Sequence, residues 1–351
     1  MLGLWTLLAC GPEPAPPAPS LPPPSEAIAA RERLFEREVI EVTGGVHVAV
    51  GYGLANSILL EGTDGVVIVD TMESATAARE VLAEFRKITD KPVVAAVFTH
   101  NHADHVFGSA VMAPGDVPIY AHATTESHID RVVNVIRDTL QVRSLTMFGS
   151  ALPESQLWEA GIGPRLRFDP SDIALKRPTD VFEVAATVEA AGLTLELVHA
   201  PGETDDQLFV WLPESRVLLP GDNVYQAFPN LYTLRGTPPR DTMAWVRSLD
   251  RMRDLGAEYL VPSHTRPVVG AEAVEEVLRS YRDAIQYVHD QTVRGMNAGR
   301  SRDELAATIR LPAHLAAHPW LQEHYGMVPH AVRAVVDGYL GWFDGDASDL
   351  E

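Results

Sequence analysis

The densest group of reactive side chains is Thr99-His100-Asn101-His102-Ala103-Asp104-His105. Three imidazoles and one carboxylate stand within six residues, and such groups are costly to pack together unless a cation gathers them. Mixed nitrogen and oxygen donors suit zinc, and manganese or iron accept the same set. In an extended loop His100 and His102 can approach one ion while Asp104 and His105 turn toward a second. Reading the four as solvated loop side chains leaves their clustering without a cause.

The elements that must hold this loop can be read around it. PVVAAVFTH (92–100) is a continuous apolar run that ends on the first histidine, as expected of a strand buried on both faces. VHVAVGYG, NSILLEG and GVVIVD (65–70) read as short strands separated by Gly-containing turns. SATAAREVLAEFRK places Ala78, Val81, Leu82 and Phe85 at helical spacing. LTLELVHAPG alternates Leu193, Leu195 and Leu197, and QLFVWLP and RVLLPGD follow as two more strands. Residues 122–180 read as mainly helical and irregular. From Val274 through Val277, Leu278, Tyr281, Ile285 and Val288 runs a helical stripe, after which only helices are expected. Strands alternating with helices in two similar halves predict two sheets sandwiched between helices. No 20–50-residue repeat is visible.

Composition narrows the partners. The 351 residues are 46% hydrophobic and 22% charged, enough for one large core and an appendage. Lys and Arg number 28 against 48 Asp and Glu, a net charge of −20. That argues against nucleic acid or an anionic membrane face as the main partner, because both need basic patches. No apolar run reaches the roughly 20 residues of a membrane-spanning helix. Cys10 is the one cysteine, so there is no disulfide framework.

That cysteine closes an apolar decapeptide, MLGLWTLLAC, and LLAC followed by Gly11 resembles a bacterial lipobox. In such a sequence Ala9 admits the signal peptidase and Cys10 becomes the lipidated N-terminus, although no Lys or Arg precedes it here. Residues 12–24 hold eight prolines in thirteen positions, an extended spacer. The expectation is a lipid-anchored protein of the bacterial cell envelope, periplasmic or extracellular, touching membrane only through Cys10.

The HxHxDH pattern at 100–105 resembles the signature of the metallo-β-lactamase superfamily. Asp70, ending GVVIVD, matches that superfamily's early strand-ending aspartate. His264 in VPSHTRP stands where its final metal histidine does, and LLPGDN carries Asp222 at the place of the carboxylate shared by two metals. Where most relatives have histidine in PGHT, this chain has Pro201-Gly202-Glu203-Thr204. With GYGLAN (51–56), NLYTLRG (230–236), HYGMVPH and YLGWFDG, the chain is similar to the alkylsulfatases of this superfamily over about residues 35–345. VHDQTVRGMNAG (288–299) resembles the start of their helical dimerisation domain, which implies a homodimer. Two positions depart from that family, which usually has glutamate where Asp222 stands and tyrosine where Phe148 stands.

The resemblance implies an αββα sandwich with a C-terminal helical segment. The divisions expected are a lipoprotein signal (1–10), a proline-rich linker (11–34), a catalytic domain (35–270) and part of the dimerisation domain (271–351). It also implies two Zn2+ or other divalent ions, one taken by His100, His102 and Glu203, the other by Asp104, His105 and His264, with Asp222 bridging. Two such ions can hold a shared hydroxide and polarise a substrate oxygen. Two divalent ions, three carboxylates and one hydroxide nearly cancel in charge. A sulfate monoester therefore needs a further cation, and Arg235 in NLYTLRG offers a planar fork for it. Tyr325 and His330 are candidates to hydrogen-bond the sulfate or protonate the leaving alkoxide. Asp70 is expected to steer a metal histidine rather than ligate. His122, His128, His314 and His318 read as surface or packing residues, and Trp342 and Phe343 as dimer or core packing.

The expected function is hydrolysis of a small-molecule alkyl sulfate ester to an alcohol and inorganic sulfate. The alternatives are another hydrolase of the same fold, acting on a lactam, lactone or thioester, and a non-catalytic metal-stabilised lipoprotein.

Overall fold

The runs VHVAV, GVVIVD and QLFVWLP are apolar through both faces of their strands, so both sheets must be covered on both sides there. A computed structural model describes residues 31–153, 157–165, 169–343 and 348. The lipobox and the proline run fall among residues 1–30, outside the described residues.

The first sheet has seven strands in chain order. They are β1 (Glu38–Thr43), β2 (Val46–Val50), β3 (Ser57–Glu61), β4 (Val66–Val69), β5 (Val93–Val97), β6 (Ile119–His122) and β7 (Asp180–Phe182). β1 to β4 pair antiparallel, and β4 to β7 pair parallel. The second sheet has the order β13-β12-β11-β10-β9-β8. Its strands are β8 (Ala185–Ala190), β9 (Leu193–His199), β10 (Leu208–Leu212), β11 (Val217–Leu219), β12 (Tyr259–Leu260) and β13 (Val268–Val269).

Three buried clusters hold the layers. Val48, Ile58, Leu60, Val67, Val69 and Val97 of the first sheet meet Leu195, Leu197, Leu208, Val210 and Leu219 of the second. The alternate residues face outward: Leu59, Val66, Ile68 and Ala96 pack on Ala78, Val81 and Phe85 of α1 (Ala75–Phe85). On the far side Phe209, Trp211, Leu218 and Leu260 meet Trp245 and Leu249 of α6 (Thr242–Asp254) and the stripe of α7 (Ala271–Asn297). That stripe contains Val274, Val277, Leu278, Tyr281, Ile285 and Val288, all buried. Further out lie α8 (Arg302–Thr308), α9 (Ala313–Ala316) and α10 (Val328–Leu340). Among the described residues beyond 270 there is no strand. The architecture is the expected αββα sandwich with C-terminal helices.

Between α1 and α6 come the short α2 (Ala103–Val106) and α3 (Ser109–Met112), then α4 (Thr125–Asp130) and α5 (Arg137–Met147). The region 122–180 is thus largely helical, but it runs into β7 and then β8, which the sequence reading did not separate. Both strands carry largely exposed residues, so neither shows the apolar alternation that marks a half-buried strand.

Candidate metal centre

The candidate ligands sit where strands end. β5 gives way at Val97 to Phe98-Thr99-His100, and His102 begins α2, which carries Asp104 and His105. Asp222 follows β11, His264 follows β12, and Glu203 follows β9 through the Pro201-Gly202 turn. A Cβ at Gly202 would meet the Asn223 amide and the Trp245 ring, so the turn before Glu203 requires glycine. Backbone strain gathers here too: Asp70 has φ 59° and Thr265 has φ 66°.

Three imidazoles converge on one carboxylate oxygen. Asp222 Oδ2 lies 3.1 Å from His264 Nε2, 3.4 Å from His105 Nε2 and 3.5 Å from His100 Nε2. Asp104 Oδ2 stands 3.5 Å from both His105 Nε2 and His264 Nε2. The donor atoms fall into two groups, His100, His102 and Asp222 in one, and Asp104, His105 and His264 in the other.

Hydrogen bonds on the far ring nitrogens fix which nitrogen faces the centre. His105 Nδ1 donates to Asp70 Oδ2 at 2.7 Å, and His264 Nδ1 donates to the Leu54 carbonyl at 2.9 Å. Thr99 gives its hydroxyl proton to Asp70 Oδ2, so it accepts from His100 Nδ1 at 3.0 Å. Each Nε2 is therefore left with its lone pair aimed inward. His105 Nε2 and Asp222 Oδ1 are buried without a hydrogen-bond partner. Orphaned acceptors of this kind, among mixed imidazole and carboxylate donors, are what a divalent cation satisfies. The residues fit the metal that the sequence implies. Asp70 has the steering part expected of it, accepting also from Thr99 N at 2.9 Å and Ser263 Oγ at 2.7 Å.

The electrostatics agree. Burial would raise the Asp104 carboxyl, but His105 and His264 hold it at about 2. Asp222, also buried, is held well below the usual carboxylate range by His264, His105 and His100. Burial lowers His100 to about 4 and drives His102 well down, while Asp222 and Asp104 raise His105 and His264 against their burial.

Glu203 sits differently from the other six. Its Oε2 makes a 2.6 Å ion pair with Arg240 Nη1 and lies 3.4 Å from the Tyr225 hydroxyl. Its carboxylate belongs to neither group of donor atoms. Burial pushes Glu203 up to about 7 against the pull of Arg240. Arg235 reaches the cluster directly, with Nη2 2.9 Å from His102 Nε2.

A cavity of about 350 Å³ opens over the centre. Asp104, Asp222, His102, Arg235 and Tyr325 form its polar end, and Leu54, Phe107, Val133, Leu140, Leu145, Phe148 and Ile162 its apolar walls. Phe148 thus contributes apolar wall. A second cavity of about 330 Å³ shares Asn101, His102 and Arg235 with the first and is lined by Glu203 and Arg240. His330 lies on α10 outside the lining of both cavities. Trp342 is 74% exposed, which removes core packing as its role.

The sequence reading missed Arg240, Tyr225 and the buried Asp206, which accepts from Asn101 Nδ2 at 2.6 Å and Thr125 Oγ1 at 2.8 Å. Arg240 stands five residues beyond Arg235 in a loop with two prolines, where no periodicity reports burial. Gly-Asp-Asn and Gly-Glu-Thr flag ligands by motif, whereas an arginine behind them carries no such mark.

Comparison with known proteins gives two family matches. Residues 50–264 match the metallo-beta-lactamase superfamily and residues 301–351 match alkyl sulfatase dimerisation. A linear primary-alkylsulfatase of Pseudomonas sp. (strain ATCC 19151) is 44% identical over 303 residues, covering 84% of this chain and 57% of that protein. An (R)-specific secondary-alkylsulfatase of Pseudomonas sp. is 28% identical, covering 89% of this chain and 49% of that protein. The solved structure of the stereoselective inverting sec-alkylsulfatase Pisa1 from Pseudomonas sp. aligns with TM-score 0.85 and 26% identity, over 90% of this chain and 52% of that one. The chain spans about half the length of the curated relatives it matches.

Proposed function

This chain belongs to the metallo-β-lactamase superfamily, and from that premise we propose that it hydrolyses alkyl sulfate esters to an alcohol and inorganic sulfate. The observation that carries the reading is the apolar cavity that ends on Arg235 beside the imidazole–carboxylate cluster. An alkyl sulfate is an apolar chain with an anionic head, and the cavity offers both complements. The similarity to alkylsulfatases supports the same reading.

His100, His102, Asp222, Asp104, His105 and His264 would hold divalent metal, zinc by donor type, with Glu203 as a further carboxylate behind them. Bound there, such metal supplies Lewis acidity and makes water a stronger nucleophile near neutral pH. Arg235 pairs with the sulfate oxygens through its planar fork. The apolar walls take the chain and exclude water from it. Burial pushes the Tyr325 phenol well up, so it stays protonated and can donate to the ester oxygen. The balance is one ester and one water giving one alcohol and one hydrogen sulfate, which ionises.

The dimerisation match and the exposed Tyr339, Leu340, Trp342 and Phe343 support a homodimer. The test is release of inorganic sulfate from dodecyl sulfate by metal-loaded protein, assayed beside a β-lactam, a lactone and a thioester. Turnover of one of those three without sulfate release would assign the other hydrolase chemistry of this fold.

A further inference from the structure

We propose that Arg143 ties the wall that contacts the alkyl chain to the arginine that holds the sulfate, so that the placement of Arg235 depends on chain length. The inference rests on the alkylsulfatase reading and deepens it. Helix α5 presents Leu140, Gln141, Ser144 and Leu145 to the apolar cavity. From the same helix Arg143 reaches the loop that carries Arg235. Its Nε donates to the Arg235 carbonyl and its Nη2 to the Leu234 carbonyl, both at 2.6 Å. Thr233 Oγ1 lies 3.1 Å from Met147 Sδ, a second tie between the same two segments.

Around the contact both segments lie shallow: Leu234 is 51% exposed, and Arg143 stands on the exposed face of α5. Residues 230–240 contain neither helix nor strand, and Gly236 takes φ +105° immediately after Arg235. Within α5 only Leu140 is buried, and Val142 is 64% exposed. A helix with so little buried surface takes its position from whatever else it touches. One side has Arg143 on the 234–235 carbonyls, and the other has the occupant of the cavity.

A long chain packed on Leu140 and Leu145 settles α5, and through Arg143 it settles the loop that aims Arg235 at His102 and the sulfate. A short chain leaves that wall uncontacted. Binding contacts remote from the reacting bond are then used to orient the group that acts on it. Arg143 touches no reacting atom and is a positioning residue.

The test is a double-mutant cycle on Arg143 and Arg235, read with dodecyl and butyl substrates below their critical micelle concentrations. Turnover is measured on the sulfates, and calorimetric affinity on the corresponding sulfonates, which carry the same anionic SO3 head on carbon, without the ester oxygen, and are not hydrolysed. Arg143→Met should lower kcat/KM for dodecyl sulfate and affinity for dodecyl sulfonate about tenfold, and the butyl values less than about twofold. In the Arg235→Ala background the same change should cost less than about twofold further. Arg143→Lys should restore part of the loss, since an ammonium can still reach a carbonyl but not both in the fixed fork. Equal losses on both chain lengths, or an undiminished loss without Arg235, would overturn the coupling. So would wild-type protein that binds neither sulfonate. Chain-length-dependent sulfonate binding without sulfate release from any ester would support the coupling while overturning the hydrolytic reading.

Discussion

Arg240 Nη1 stands 2.6 Å from Glu203 Oε2, and both side chains are 2% exposed. Arg240 also donates to the Asn230 carbonyl, which anchors the start of the loop bearing Arg235. A carboxylate buried beside Asp222 is costly unless something cationic faces it. The arginine therefore belongs to the site even though no motif announced it. Removing one member of a buried pair leaves the other uncompensated, at about 3–5 kcal/mol. Arg240→Met should lower unfolding free energy by that order and reduce metal content. The double variant Arg240→Met with Glu203→Gln should recover much of the stability. Denaturant unfolding of wild type, Arg240→Met, Glu203→Gln and the double variant checks this, and strict additivity would contradict a direct pairing.

The sharing of Asp222 Oδ2 by three imidazoles predicts how metal is lost. Purified, metal-replete protein should hold two equivalents by elemental analysis. His102→Ala should weaken one site, whereas Asp222→Asn should weaken both, because its oxygen lies against His100 in one group and His105 and His264 in the other. Chelation should also lower the melting temperature, since a ligand at a thousandfold its Kd adds about 4 kcal/mol to the native state. Loss of a single equivalent from Asp222→Asn would contradict the shared position.

The two sheets are also pinned by a pair of histidines. His122, ending β6, stacks on His199, ending β9, with ring centroids 3.9 Å apart. His122 Nε2 donates to the Glu183 carbonyl at 3.0 Å, and His199 Nε2 to the Asp205 carbonyl at 2.7 Å. Burial first, and His199 second, lower the His122 pKa below its ordinary value. The unfolded chain then takes up the proton first. The contribution to stability is full above the ordinary imidazole pKa of about 6.5 and is lost as pH falls toward the depressed native value. His122→Gln keeps a donor and an acceptor but cannot titrate. Its stability should be lower at pH 8 and should fall less between pH 8 and pH 5 than that of wild type, as followed by thermal unfolding.

Much of this was legible because strands and ligands announce themselves in the same way. PVVAAVFTH reads as a doubly buried strand because Val97 faces the other sheet while Ala96 and Phe98 face the helices. The histidines follow because the chain must turn where the strand ends. Glu203, by contrast, was legible as a carboxylate at a strand end but not as the partner of Arg240. That pairing spans a loop that follows no repeating pattern and whose start is held by Tyr225, whose hydroxyl accepts from Asn230 N. The same holds for Arg143, an exposed arginine whose two carbonyl partners lie more than ninety residues away. Amphipathic spacing reports which face is buried. It says nothing of which loop a surface side chain will cross.

The most direct test of the account is sulfate release by the Arg235 variants. Hydrogen bonds to charged groups are worth roughly 1.5–3 kcal/mol, so Arg235→Ala should lower kcat/KM for dodecyl sulfate by about 10- to 100-fold. Arg235→Lys should recover part of that loss, metal content should stay at two equivalents, and slow turnover of a neutral carboxylic ester should be far less affected. Full sulfate release by Arg235→Ala, or equal losses on sulfate and neutral ester, would contradict the assignment of this cavity to alkyl sulfates.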